Sequence, residues 1–288
     1  MSVASLVTRF APSPTGLLHL GHAHAALFAW HAARIGGGRF LLRIEDIDRQ
    51  RCQPAFERRL LEDLAWLGLE WEQPVRRQSE HFDDYRAALA RLRARGVLYP
   101  CRCSRKDIAA AGHAPHPGED GVGDGPIYPG TCRPTRRSFD PAADLPTVDR
   151  GEPLALRLDV ARALEQTGPL VWHDRAAGPQ RAAPERLGDV VLARKDTPTS
   201  YHLSVTVDDA LQGVTLVTRG ADLFHATHIH RLLQALLDLP TPGYHHHPLL
   251  TDAGGRRLAK RDGAQAIGAL RAAGYTPEMV RNAAGFVD

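Results

Sequence analysis

Two stretches of this 288-residue sequence hold residue types that could act on a phosphorylated substrate. The first is Arg9-Phe10-Ala11-Pro12-Ser13-Pro14-Thr15-Gly16-Leu17-Leu18-His19-Leu20-Gly21-His22. His19 and His22 stand three apart, so both imidazoles face one site if a helix begins there. Unsatisfied N–H groups and the helix dipole at such a start favour an anion. Gly21 has no side chain, so a flat base can approach its backbone. The second stretch, residues 249–263, holds Gly254, Gly255, Arg256, Arg257, Lys260 and Arg261. Two glycines and a group of cations suit a loop that neutralises charge as pyrophosphate leaves a triphosphate. Between them, Glu45 ends an apolar run and can pair with an ammonium group. Tyr201 can donate to a carboxylate, and Arg219 can grip one with two parallel bonds.

A separate chemistry belongs to the cysteines. Cys101, Cys103 and Cys132 lie in just over thirty residues, two of them as C-x-C, a spacing that suits tetrahedral zinc. A metal would also order a segment too polar to build its own core. His113 and His116 are the ordinary candidates for a fourth ligand, and Tyr128, four before Cys132, the unusual one. Cys52 lies at a helix start far from these and is not expected to join them.

The elements that must position these groups follow from periodicity. Residues 6–10 read as a buried strand, 23–34 as a helix closed at Gly36, and 39–45 as a second parallel strand. Helices are expected over 53–67 and 79–95. Residues 154–160 and 170–174 read as strands of a small appended β-region, and 189–194 and 213–218 as returns to the buried sheet. A helix over 227–239 and two short helical patterns, 265–273 and 277–284, complete the chain. His225, His228 and His230 are read as cleft or surface residues rather than metal ligands.

His19-Leu20-Gly21-His22 with its Arg9-Phe10-Ala11-Pro12-Ser13-Pro14-Thr15-Gly16 lead-in resembles the HIGH motif of class I aminoacyl-tRNA synthetases, in the glutamyl/glutaminyl branch. Leu42-Arg43-Ile44-Glu45-Asp46-Ile47-Asp48 resembles a block of the same branch, with Ile47 where Thr is usual. Tyr201 through Asp208-Asp209 to Arg219-Gly220-Ala221-Asp222 resembles another. Leu258-Ala259-Lys260-Arg261 resembles the KMSKS motif, with Arg257 for the first Lys and Ala259 for the Ser. The resemblance covers nearly the whole chain and is strongest to the glutamyl-queuosine type, which carries C-x-C and Tyr-x-x-x-Cys at matching positions.

The resemblance implies an α/β fold: a Rossmann-like parallel-sheet catalytic domain with a zinc-containing insertion and a short C-terminal helical segment. Its halves would be residues 1–98 and 188–263, around a zinc-binding, acceptor-end-like insertion at 99–187, with a helical stem-contact segment at 264–288. It implies glutamate contacts from Arg9, Ala11, Ser13, Glu45, Tyr201 and Arg219. It implies ATP contacts from Pro12, Thr15, Gly16, His19, Gly21, His22, Leu258 and Lys260, with His19, His22 and Lys260 catalytic. Tyr128 becomes the fourth ligand of one structural Zn²⁺ with Cys101, Cys103 and Cys132, and Mg²⁺ accompanies ATP. The implied reaction is tRNA-independent activation of L-glutamate with ATP, then transfer to the queuosine of the tRNA(Asp) anticodon. The partners would be ATP, L-glutamate and queuosine-carrying tRNA(Asp), the enzyme a cytoplasmic monomer. No anticodon-binding domain is expected. The alternatives are a truncated glutamyl-tRNA synthetase charging the 3′ end of tRNA(Glu), a nucleotidylyltransferase of the same superfamily, and a non-catalytic sensor or tRNA-binding paralogue.

Bulk composition agrees with such a chain. A 43% hydrophobic content can build a full core, and no run of eighteen apolar residues exists. Thirty-six basic residues with a net charge of only +3 permit a nucleic-acid patch without demonstrating one.

Overall fold

A computed structural model of the chain describes residues 5–104, 106–108, 127–134, 154–251 and 265–286. Strand β1 (Val7–Phe10) is buried along its whole length, as a parallel strand covered on both faces must be. It feeds helix α1 (Leu20–Ile35), which returns the chain to β2 (Arg39–Ile44). The buried face of α1 is mostly alanine (Ala23, Ala26, Ala29, Ala33), so the helix lies close to the sheet. Thr8 on β1 donates its hydroxyl to Ala29 O at 2.8 Å, which ties the two together. Helix α2 (Pro54–Trp66), opened by a proline suited to a first turn, leads to β3 (Glu72–Arg77). The three strands are parallel, in the order β1-β2-β3.

After α3 (Phe82–Ala94), strands β4 (Leu98–Cys101), β5 (Ala155–Leu158) and β8 (Val191–Ala193) form a separate antiparallel sheet, β4-β5-β8. Between β5 and β8 come α4 (Val160–Thr167) and the hairpin β6 (Val171–Asp174) and β7 (Gly178–Arg181). Helix α5 (Tyr201–Leu211), β9 (Leu216–Gly220), α6 (Ala226–Leu236) and β10 (Gly243–His247) complete a second sheet, β7-β6-β10-β9. The appended β-region expected from residues 154–174 is therefore divided: β5 joins β4 and β8, while β6 runs parallel to β10 with Asp174 opposite Tyr244. Residues 155–158 and 171–174 are too short for periodicity to name their partners.

The β1-β2-β3 sheet and the mixed β7-β6-β10-β9 sheet lie edge to edge. Thr215 N–H donates to Val7 O at 3.0 Å, and Val7 N–H to Thr215 Oγ1 at 2.8 Å. Arg9 and Arg219 thus end neighbouring strands of one α/β surface, and a ligand is expected beyond those carboxyl ends. The last helices, α7 (Ile267–Ala272) and α8 (Pro277–Ala283), return to the beginning of the chain. Ile267, Leu270, Val280 and Ala284 share one core with Phe10, Leu27, Leu42 and Leu64. A second core joins α3, α4, α5 and α6. No described helix is long and apolar enough to cross a membrane.

Candidate active site

The carboxyl ends of β1, β2 and β9 and the start of α1 enclose a cleft of about 600 Å³. Arg9, Ala11, Pro12, Ser13, Thr15, His19, Gly21, His22, Glu45, Tyr201 and Arg219 all line it. Gly16 lies on the same crossover but not on the cleft wall. Leu258 and Lys260 lie outside the described residues, as do His113 and His116. Both flanks of the stretch that carries Lys260 stand at the cleft. Leu249 and Leu250 line it, and Ala266 forms an isolated bridge with His19, where Ile267 N–H donates to Leu18 O at 2.8 Å. Gly220, at the end of β9, is closely packed: a Cβ there would stand 2.6 Å from Leu249 Cδ2.

His19 is the N-cap of α1, and its ring is held by a reciprocal capping box. Gly21 N–H donates to His19 Nδ1 at 3.1 Å, and His19 N–H donates to His22 Nδ1 at 3.2 Å. With both Nδ1 atoms accepting, both ring protons sit on Nε2. The pair, 3.9 Å apart between ring centroids, offers two imidazole donors at a helix N-terminus.

The two arginines are held in opposite ways. Arg9 is anchored by a carboxylate: its Nε donates to Asp209 Oδ1 at 2.9 Å and its Nη2 to Oδ2 at 3.4 Å, while Nη1 reaches Thr218 O at 3.1 Å. Arg43, fully buried, donates through Nη1 to the same Asp209 Oδ1 at 2.9 Å and through Nη2 to Glu45 Oε1 at 3.4 Å. Asp208 takes Arg76 Nε at 2.8 Å, Gln78 Nε2 at 2.8 Å and the Tyr85 hydroxyl at 2.9 Å. Burial raises the Glu45 carboxyl, with Arg43 and Arg9 opposing. Burial also opposes ionisation of Asp209, but Arg9 and Arg43 together hold its carboxyl below the usual range.

Arg219 is held by neutral groups instead. Its Nε donates to His246 Nε2 at 3.1 Å, its Nη1 to His230 Nδ1 at 3.2 Å and the Tyr201 hydroxyl at 3.3 Å, and its Nη2 to Thr227 Oγ1 at 2.6 Å. Burial and the adjoining guanidinium hold His246 down at about 4 and His230 well below its ordinary value. Arg219 thus presents at the cleft wall a guanidinium held by neutral groups, which suits a ligand carboxylate.

Asp208, Asp209, Arg43 and His246 position the site without having been singled out for it. The Asp-Asp pair inside the helix pattern after Tyr201 was the available signal. On β10, alternation puts Tyr244 and His246 on the face of Trp172, while His245 and His247 meet Phe28 of α1. His247 lines the cleft, and His228 and His230 are buried.

On the antiparallel sheet, Cys101, Cys103 and Cys132 bring their sulfurs within 4.8 Å of one another and could hold one metal ion. Cys103 and Cys132 Sγ are 3.6 Å apart, and Tyr128 Oη lies 3.5 Å from Cys101 Sγ and 3.7 Å from Cys103 Sγ. A tetrahedron with zinc–ligand bonds of about 2.0–2.3 Å has edges of about 3.3–3.8 Å, so the donor set fits such an ion. Cys52 lies elsewhere, its Sγ 3.9 Å from Glu45 O.

The family model for tRNA synthetases class I (E and Q), catalytic domain, matches residues 5–286. Glutamyl-Q tRNA(Asp) synthetase of Rhodobacter capsulatus is 53% identical over 285 residues, covering 97% of this chain and 100% of the relative. That of Symbiobacterium thermophilum is 46% identical, covering 96% of this chain and 84% of the relative. The solved glutamate-tRNA synthetase of Elizabethkingia anophelis superposes with a TM-score of 0.78 at 26% identity, covering 98% of this chain. This chain spans 61% of that structure's length. The HIGH-type crossover, the paired half-sheets and these matches agree that the chain belongs to the class I aminoacyl-tRNA synthetases, in the glutamate and glutamine catalytic-domain family.

Proposed function

We propose that the protein joins L-glutamate to ATP without tRNA, forming glutamyl-adenylate, and then transfers the glutamyl group to the cyclopentenediol of queuosine in the tRNA(Asp) anticodon. The observation that carries this reading is the 53% identity along the whole length of a glutamyl-Q tRNA(Asp) synthetase. The cleft chemistry supports it. Glutamate carries two carboxylates and an ammonium group, against the guanidinium of Arg219 and the carboxylate of Glu45 on the cleft wall.

In the first step the glutamate α-carboxylate attacks the α-phosphorus in line, and the bond to pyrophosphate breaks. The chain contributes position and charge rather than a covalent intermediate. The Nε2–H groups of His19 and His22 donate to phosphate oxygens, with Gly21 against the base. Pro12, Thr15, Gly16 and Leu258 complete the ATP site. Lys260 neutralises the departing pyrophosphate. Glu45 and Ser13 hold the ammonium group. Arg219, Tyr201 and Arg9 hold the carboxylates, with Ala11 packing beside them. In the second step a diol oxygen attacks the activated carbonyl, AMP leaves and its phosphate takes the hydroxyl proton.

Mg²⁺ would accompany ATP and offset the charge of its triphosphate. Cys101, Cys103, Cys132 and Tyr128 would hold one structural Zn²⁺, which would pin the knuckle between β4 and β5. A tRNA substrate places the protein in the cytoplasm, where it acts as a monomer.

The deciding experiment supplies ATP, labelled glutamate and total tRNA with or without queuosine. Label is expected on tRNA only when queuosine is present. Label at the 3′ end of queuosine-free tRNA would assign the protein to glutamyl-tRNA synthesis instead. His19→Ala is expected to lower glutamate-dependent ATP–pyrophosphate exchange by about two to three orders of magnitude, as loss of an aimed transition-state donor does.

A further inference from the structure

The fourth donor of the metal knuckle is a phenol, and Arg157 covers its ring. The guanidinium carbon stands 3.7 Å from the centroid of the Tyr128 ring, over its face. Both residues are buried, Tyr128 at 6% and Arg157 at 7% exposure, so water does little to screen the contact.

Separate elements bring the two together. Tyr128 forms an isolated parallel bridge with Gly188, where a Cβ would stand 2.7 Å from Ile127 Cγ2. Arg157 comes from β5, opposite Tyr99 of β4, while Ala155 stands opposite Cys101. Alternation therefore puts Arg157 on the face of the sheet that carries Cys101. The pairing of β5 with β8 shifts register between Leu156 and Arg157, an irregularity of the kind that re-aims a side chain.

The charge on Arg157 is otherwise unanswered. Its Nη1 donates to the main-chain oxygen of Asp189 at 2.6 Å, a neutral acceptor, and its Nε has no hydrogen-bond partner. The Asp189 carboxylate is engaged by Arg133 Nε at 2.6 Å, by Val160 N–H at 3.0 Å and by the Tyr99 hydroxyl. Among the described residues Arg157 makes no ion pair. A buried cation is costly unless an anion lies beside it. Three thiolates and a phenolate around one Zn²⁺ would be such an anion, because every ligand binds deprotonated and the ligands outweigh the metal's charge. A second positive group is aimed at the same phenolic oxygen: the main-chain N–H of Cys132 donates to Tyr128 Oη at 2.7 Å.

We propose that Arg157 is a positioning residue of the metal centre, a buried counter-charge laid on the face of the Tyr128 ring that lets a phenolic oxygen serve as the fourth donor. The inference rests on the zinc reading proposed above and goes beyond its ligand set, since Arg157 gives the metal no ligand atom. It also explains why a guanidinium is tolerated inside the small core that Tyr99, Cys101, Tyr128 and Ala155 form.

The test is chelator titration of the zinc-loaded enzyme. Arg157→Gln keeps a donor for the Asp189 oxygen and removes the charge, whereas Arg157→Lys keeps the charge. Arg157→Gln is expected to release half its zinc at a chelator concentration about 10–100-fold below that of the parent, as loss of a group behind a metal ligand does. Arg157→Lys should stay within about threefold of the parent, because an ammonium over the ring restores the contact. In a Tyr128→Phe background, Arg157→Gln should add less than about threefold, because the ring then bears no oxygen for the charge to act on. Release at the parent's chelator concentration in Arg157→Gln would overturn the assignment. So would equal losses in Arg157→Gln and Arg157→Lys, which would make the role one of packing, or the same fold-loss with and without the Tyr128 oxygen. Should Arg157→Gln fail to fold, Arg157→Met, an uncharged stem of similar length, takes its place. A parent enzyme that retains no zinc would refute the zinc reading itself, an outcome distinct from variants that match a zinc-bound parent.

Discussion

The Asp174 carboxylate holds His246 at two points: its Oδ2 accepts from the main-chain N–H at 3.1 Å and from Nδ1–H at 2.7 Å. The second bond fixes the imidazole proton on Nδ1 and turns Nε2 toward Arg219 as an acceptor. A carboxylate on the hairpin β6–β7 thereby aims a guanidinium on β9 without touching it. Asp174→Asn loses the charge that selects this tautomer. The KM for glutamate is expected to rise about tenfold, equivalent to ~1.4 kcal/mol, with the KM for ATP unchanged. A change confined to kcat would argue against the positioning role.

The imidazoles around Arg219 also predict an acid-sensitive stability. His202 and His246 titrate at about 4 in the folded protein because burial and Arg219 both oppose their charged forms. In the unfolded chain they titrate near 6.5. Above that pH both states are neutral, and no dependence arises. As pH falls from 6.5 toward 4, the unfolded chain takes up protons that the folded one refuses, so stability is lost. The slope approaches ~1.4 kcal/mol per pH unit for each group. Urea midpoints measured between pH 7.5 and 5 should fall accordingly, and His246→Gln should flatten part of the slope.

Asp209 moors two buried guanidiniums, Arg9 and Arg43, so Asp209→Asn removes the charge that makes their burial tolerable. Breaking a buried pair in this way costs about 3–5 kcal/mol. Urea denaturation should register that loss. Arg39→Ala, which breaks an exposed pair with Glu72, should cost less than about 1 kcal/mol.

The knuckle gives a metal prediction. Elemental analysis of the purified protein should find one zinc per chain, and Cys132→Ser should abolish retention through a chelating column. Tyr128→Phe keeps three thiols and removes one donor, so zinc should be held but released at a chelator concentration about tenfold lower or more. A full complement of zinc in Cys132→Ser would refute the assignment.

Much of this was legible in residue order because the crossover packs its chemistry into fourteen consecutive residues. Other parts were hidden for physical reasons. β4 contains Pro100, which ordinarily argues against a strand, but β4 is the edge of its sheet and needs no donor there. α5 shows no polar stripe because Leu203 through Asp209 are all buried, so its period was masked. Asp208 and Asp209 looked like two charges in an apolar run. Their partners Arg76 and Arg43 stand 132 and 166 positions away, beyond what local pattern can report. Three consecutive histidines carried no mark of which one faces Arg219; the alternation of β10 supplied it.

The sharing of one core by Phe10, Leu42 and Leu64 with Ile267, Leu270 and Val280 bears on how the protein is made. On a ribosome, the opening βαβ unit emerges first, yet its apolar face stays uncovered until residues 267–284 have been polymerised. The interior built from α3, α4, α5 and α6 closes earlier. Vectorial synthesis would therefore settle the middle before the beginning, and the nascent N-terminal unit is the part a chaperone would have to shelter.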